Sequence, residues 1–162
     1  MKNKINEQLF DAALQGQVED VKELIASGAN INILNEAVGE FPIHVAAEKG
    51  NVDILDVLIK NGADLDVLTK PGYSAAHLAV FSNNYEALKL LLDNGANKNI
   101  KDPDGNTLLW SAVMHYDDED GDAMIKMLLD TGIDPHIPNS HGVNLLNLLK
   151  MPKNENIRHL FE

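Results

Sequence analysis

The chain has 162 residues, 44% of them hydrophobic, which is one domain's length with enough apolar content for a continuous core. It holds no cysteine, so disulfides, thiol nucleophiles and cysteine-bound metals are excluded together, and no run of about 18 apolar residues is present to span a bilayer. The formal charge of −12 argues against nucleic-acid backbones and anionic membranes, which attract clustered Lys and Arg, and suits either a basic partner or simple solubility.

Two glycine series set the organisation. Gly28, Gly62, Gly95 and Gly132 are 34, 33 and 37 residues apart, and Gly39, Gly72, Gly105 and Gly142 step by 33, 33 and 37. Two independent markers with one shared period mean a repeat array. The expected units are about 1–34, 35–67, 68–100, 101–137 and 138–162, stacked as one domain. Such an array leaves an elongated surface, whose default use is gripping a partner.

The first unit opens without the apolar stretch of a signal peptide, so a cytoplasmic protein is expected. It has no recognisable turn segment, and polar Asn6 and Glu7 on its first helix suit a capping unit that faces water. In the second unit Phe41–Ala47 opens a short helix, with Pro42 at the first helical position, where no backbone donor is missed. Gly50 breaks it, Val52–Ile59 makes a second helix, and Gly62 ends that helix as a left-handed cap. The residues entering the first helix of each unit are Phe41, Ser74, Thr107 and Asn144, of which three are good N-caps.

The fourth unit carries the four extra residues of the period. Gly39 to Gly62 and Gly72 to Gly95 both span 23, whereas Gly105 to Gly132 spans 27, so the insertion lies in or near His115–Asp122. The last unit carries Lys150–Asn154 between its helices and ends in a short closing helix from Ile157. In frame, the second helices give the columns Val21, Leu55, Leu88, Ile125; Leu24, Leu58, Leu91, Leu128; and Ile25, Ile59, Leu92, Leu129. Their i, i+3, i+4 spacing makes one stripe that neighbouring units must cover. The small column Ala12, Ala46, Ala79, Ala112 lets first helices approach closely. No alternating run is long enough for a strand.

Gly39-Glu40-Phe41-Pro42-Ile43-His44-Val45-Ala46 and Gly72-Tyr73-Ser74-Ala75-Ala76-His77-Leu78-Ala79, continuing as Leu91-Leu92-Asp93-Asn94-Gly95-Ala96-Asn97, resemble the ankyrin repeat over nearly the whole chain. The resemblance implies an all-α solenoid of about five helix-turn-helix repeats. It also implies that His44 and His77 are structural, bonding the backbone of neighbouring turns. In the last two units that slot holds Trp110 and Asn147.

No phosphate loop, nucleophile elbow or dinucleotide fingerprint occurs, so neither an enzyme nor a cofactor is expected. The other histidines show no metal-ligand spacing. The run Asp117-Asp118-Glu119-Asp120-Gly121-Asp122 fails as a calcium loop, because a glycine at position six would put Tyr116 and Met127 where carboxylates belong. It reads as a solvated loop.

The resemblance places the partner groove on the turn tips and the outer face of the first helices, a concave surface. The tips carry Glu40, Lys70, Tyr73 and Asp104, and the helix column reads Leu14, Glu48, Phe81, Met114, with Lys49, Ser82 and His115 beside it. Tyr73, Phe81 and Met114 are large side chains ringed by polar ones, the composition of a protein-binding centre. With Asp117, Asp118, Glu119 and Asp120 at the edge, the expectation is a monomeric, non-catalytic module that binds a protein, a basic one being suited to that edge, and neither nucleic acid nor membrane. An immunity-type inhibitor of a basic toxin or enzyme is a sharper version. A metal-dependent activity at the acidic loop is the rival of a different class.

Overall fold

Helices form where the apolar columns run. In the computed structural model, which describes residues 2–116 and 121–161, the first unit is α1 (Lys2–Gln15) and α2 (Val18–Ala26). The second is α3 (Pro42–Glu48) and α4 (Val52–Lys60), and the third α5 (Ala75–Phe81) and α6 (Tyr85–Asp93). The fourth is α7 (Leu108–Met114) and α8 (Gly121–Asp130), and the fifth α9 (Leu145–Leu149) with a 3₁₀ helix (Pro152–Phe161). First helices stack in one row, α1 to α3 to α5 to α7, and second helices in another, α2 to α4 to α6 to α8. The chain is thus an all-α helix-turn-helix solenoid. No strand occurs among the described residues, only isolated bridges that close the turns, Asn35 with Glu40, Leu68 with Ser74 and Lys101 with Thr107.

Capping follows side-chain chemistry. Ser74, Thr107 and Asn144 each accept the N–H of the residue three places on, satisfying one orphan donor of α5, α7 and α9. Phe41 has no oxygen for this, and its own N–H instead donates to His44 Nδ1 at 3.1 Å. At the far end of the units, Gly62 and Gly95 hold φ of +89° and +91°. That left-handed turn brings the N–H groups of Ala63 and Ala96 back to the carbonyls of Leu58 and Leu91 at 3.0 Å. Nothing lies within 4 Å of a Cβ added at either glycine, so backbone conformation rather than space selects the residue.

Between the rows lies the core. Val21, Leu55, Leu88 and Ile125 are fully buried, as are Leu58, Leu91 and Leu128, while Leu24 on the first unit is half-buried. The stripe is rotated from its expected position, however. Ile25, Ile59, Leu92 and Leu129 are only half-buried at its edge, whereas Ile54, Ala87 and Met124, one position before the first column, are buried. The alanine column is buried throughout.

The fifth unit also departs from expectation. Lys150–Asn154 is not a plain linker, because the 3₁₀ helix already starts at Pro152. Asn154 is buried and its Nδ2 donates to the Leu148 carbonyl at 2.9 Å, and Arg158 donates to the carbonyls of Leu149, Lys150 and Met151. These donors fold the segment back over the end of α9.

Leu91→Ala should cost about 2–5 kcal/mol in equilibrium urea unfolding, because it opens a cavity in the middle of the stack. Leu92→Ala, at the half-buried edge, should cost clearly less. Equal losses would mean that the rotation of the stripe is misassigned.

Candidate functional site

Each turn tip is a closed hairpin held from inside. Asn35 N–H donates to the Glu40 carbonyl at 2.8 Å, Thr69 N–H to Tyr73 at 2.8 Å and Asp102 N–H to Asn106 at 3.1 Å. Side chains at the same places return the bond, Thr69 Oγ1 accepting from Tyr73 N–H and Asp102 Oδ1 from Asn106 N–H. Neighbouring tips are also tied to each other. Lys70 N–H donates to the Gly39 carbonyl at 2.8 Å, and Ser140 N–H to the Asp104 carbonyl at 2.9 Å. Between the third and fourth tips the residue in that position is Pro103, which has no N–H to give. It packs on Gly72 instead, where an added Cβ would come within 3.0 Å of its Cγ.

Across this same seam the aromatic side chains gather. Tyr73 and Phe81 meet edge to face, ring centroids 5.3 Å apart at 79°, and Phe81 reaches His115 of the next unit at 4.7 Å. His77 lies under both, 6.1 Å from Tyr73 and 6.2 Å from Phe81. His77 and Phe81 are spaced i, i+4 on α5, which puts them on one face, and Tyr73 enters from the turn just before the helix. Tyr73 and Phe81 are half-buried and His115 is exposed, with a ring N–H free to donate from Nδ1 to the Ser111 carbonyl at 2.9 Å. Met114 is 43% exposed beside it on the same rim.

The two repeat histidines are buried and structural, but they are not equally satisfied. His44 accepts the Phe41 N–H at Nδ1, and its Nε2 donates to the Val67 carbonyl of the following turn at 3.0 Å. His77 Nδ1 receives the Ser74 N–H at 3.3 Å and its hydroxyl at 2.9 Å, yet its Nε2 is buried with no hydrogen-bond partner. Burial lowers the pKa of both, that of His77 to about 4 even though the nearby Asp102 charge favours protonation. Both rings are therefore neutral at pH 7.

The expected charged residues divide into four groups. Glu40 and Glu48 are close enough to repel. Partial burial first, and the Glu48 charge second, raise the Glu40 pKa, and Lys49 offsets only part of this. Lys70 is committed within the chain, its Nζ 2.8 Å from the Glu36 carboxylate and 2.9 Å from the Glu36 carbonyl. Asp104 stands exposed at its tip. Asp117, Asp118, Glu119 and Asp120 lie outside the described residues. Beyond them Asp122 accepts the Tyr116 hydroxyl at 3.0 Å, with Lys126 and His159 at 3.8 and 3.9 Å. Among the described residues no group of three or more His, Cys, Asp and Glu could hold a metal ion. No described helix is long and apolar enough to cross a membrane.

Sequence reasoning grouped Tyr73, Phe81 and Met114 as a binding centre with His115 beside the helix column, and the structure brings Tyr73, Phe81 and His115 into ring contact. It passed over His77 as the floor of the cluster, although its i, i+4 spacing to Phe81 was there to read. It also missed a cleft of about 610 Å³ at the other end of the array, where Phe10, Ile33 and Leu34 line a space edged by Glu7, Asp11 and Glu36.

A family model described as ankyrin repeats in three copies matches residues 9–102, and a single ankyrin repeat matches residues 104–140. The chain belongs to the ankyrin repeat family. Similar proteins include ankyrin repeat domain-containing protein 40 of Homo sapiens, 35% identical over 66 residues, which is 41% of this chain and 18% of that protein. The Mus musculus protein of the same name is 33% identical over 66 residues, with the same coverage of each chain. A putative ankyrin repeat protein of fowlpox virus (strain NVSL) is 40% identical over 63 residues, 39% of this chain and 15% of that protein. The matches thus span less than a fifth of each of these relatives. Ankyrin repeats generally mediate protein–protein interaction and are generally not catalytic.

A histidine held neutral in the fold but free to protonate when unfolded contributes stability that is full above its unfolded pKa and lost as pH falls toward its folded one. For His77 the window runs from about 6.5 down to about 4. His77→Asn, which installs the fifth unit's residue in this slot, should therefore be less stable than the parent at pH 7. The gap should shrink by about 2–3 kcal/mol between pH 7 and 4.5 in urea titrations. A gap independent of pH would mean that the neutral ring is not what the fold selects.

Proposed function

We propose that this chain is a non-catalytic binding module that holds a protein partner in the groove formed by the turn tips and first helices of the second to fourth units. The observation that carries the reading is the ring cluster Tyr73–Phe81–His115, which keeps large side chains at the rim of the array where the core does not use them. Rigid aromatic groups that present area while already half-ordered by neighbours lose little entropy on binding, which is why such residues dominate the energetics of interfaces. Around them Glu40, Glu48, Lys49, Asp104 and Met114 form the rim, and Lys70 fixes the geometry of the tips.

The partner is basic on this reading. The chain carries 25 Asp and Glu against 13 Lys and Arg, and at Glu40 the nearby Glu48 charge outweighs that of Lys49. Masking of a basic toxin or enzyme is one form that such binding takes, and a monomeric cytoplasmic chain suits it.

The test uses a partner captured by the intact chain and then purified. Phe81→Ala should speed its release by tenfold or more, on the order of 1.4 kcal/mol, with the helical signal unchanged. Raising salt from about 50 to 300 mM should slow its arrival instead, because exposed charges are screened beyond about 8 Å near physiological ionic strength. A partner indifferent to Phe81 and Tyr73, with salt-independent association, would place the site elsewhere on the array.

A further inference from the structure

The ring cluster has a chemistry more specific than a generic apolar patch. Its faces are aromatic, and its neighbour along the groove is a pair of carboxylates. Phe81 and Glu48 occupy the same column in adjacent units. The join between those units is fixed by Asn84, whose Nδ2 donates to the carbonyls of Ala47 and Glu48 at 3.0 and 2.6 Å. Glu40 adds its charge beside Glu48, and the two repel each other beyond what Lys49 offsets. An electron-rich platform next to uncompensated negative charge favours a flat cation. Guanidinium fits better than ammonium, because it is more weakly hydrated, stacks on aromatic faces and meets carboxylates in a two-pronged contact.

The seam under the rings also differs from its neighbours. The backbone bond that ties the second tip to the third, Lys70 N–H to Gly39, has no counterpart from Pro103, and His77 Nε2 lacks the acceptor that His44 Nε2 finds in Val67. The pairing of rings across it, Phe81 with His115, is a contact that a stacking group can share or part at little cost in hydrogen bonds.

We propose that the cluster Tyr73–Phe81–His115 seats an arginine side chain from an extended basic segment of the partner, its guanidinium held against the aromatic corner that Tyr73 and Phe81 make and its charge paired with Glu48. The inference rests on the groove reading above and narrows it to one chemical anchor. The segment runs along the tips, so that Asp104 meets a second positive charge further along the chain.

The experiment is an NMR titration of the full chain with three short acetylated peptides of alternating glycine and a variable residue: arginine, lysine or citrulline. The arginine peptide is expected to shift the ring resonances of Tyr73, Phe81 and His115 and to bind about threefold or more tighter than the lysine peptide, the preference that an exposed cation–π contact implies. Citrulline keeps the shape without the charge and should bind weakest. Glu48→Gln should weaken the arginine peptide about two- to fivefold, as expected for a partly exposed ion pair, with the spectrum otherwise unchanged. Equal binding of arginine and citrulline, shifts confined to the outer helices α4 and α6, or no shifts at about 10 mM peptide would each overturn the proposal. Those outcomes leave the groove reading standing if a captured partner still depends on Phe81. Indifference of that partner to Phe81 would remove both.

Discussion

An apolar stripe on a two-helix unit of about 33 residues finds no cover within the unit, and the whole array follows from where that cover comes from. Val21, Leu55, Leu88 and Ile125 hold the same place on successive second helices, α2, α4, α6 and α8, and all are fully buried where those helices stack. Burying one such side chain is worth about 1.5–3 kcal/mol, less than the entropy of ordering even a short helix. Stability is therefore a property of interfaces between units, which makes the number and quality of the seams decisive. The alanine column keeps the first-helix row close enough for those seams to shut.

Seams that must be apolar and repetitive leave the exposed tips and outer faces of the first helices free to vary, because nothing there is needed for cover. That is where the chain departs from its own pattern. The third and fourth units put Tyr73, Phe81 and His115 in contact across a seam that lacks, at Pro103, the backbone bond joining the second and third tips. The array is more extensively packed on the near side as well, α5 against α3 more than against α7, and α6 against α4 more than against α8. A binding surface that straddles a less tightly fastened joint can adjust to its partner without disturbing the core on either side.

The fold was legible because each unit repeats its punctuation. Gly62 and Gly95 mark helix ends by a backbone requirement, and Ser74 and Thr107 mark helix starts by a side-chain one, so both signals are local. The exact rotation of the stripe was not legible. Whether Ile54 or Ile59 faces inward depends on how α4 lies over α3, and both are isoleucines, five positions apart on the same short helix. The fifth unit was misread for a similar reason. Pro152 looks like an interruption until Asn154 and Arg158 supply donors to the end of α9, a relation that sequence spacing alone does not display. At the site, composition named the large residues. Composition did not show that Phe81 packs across the seam on His115, 34 residues on.

The central claim is that a partner lies along the tips and first helices rather than on the second-helix row. Hydrogen–deuterium exchange of the chain, free and bound to its partner, tests this directly. The account predicts new protection in residues 68–82 and 101–115, with α4 and α6 unchanged. Protection that falls on α4, α6 and α8 and spares the Tyr73–Phe81–His115 segment would contradict it.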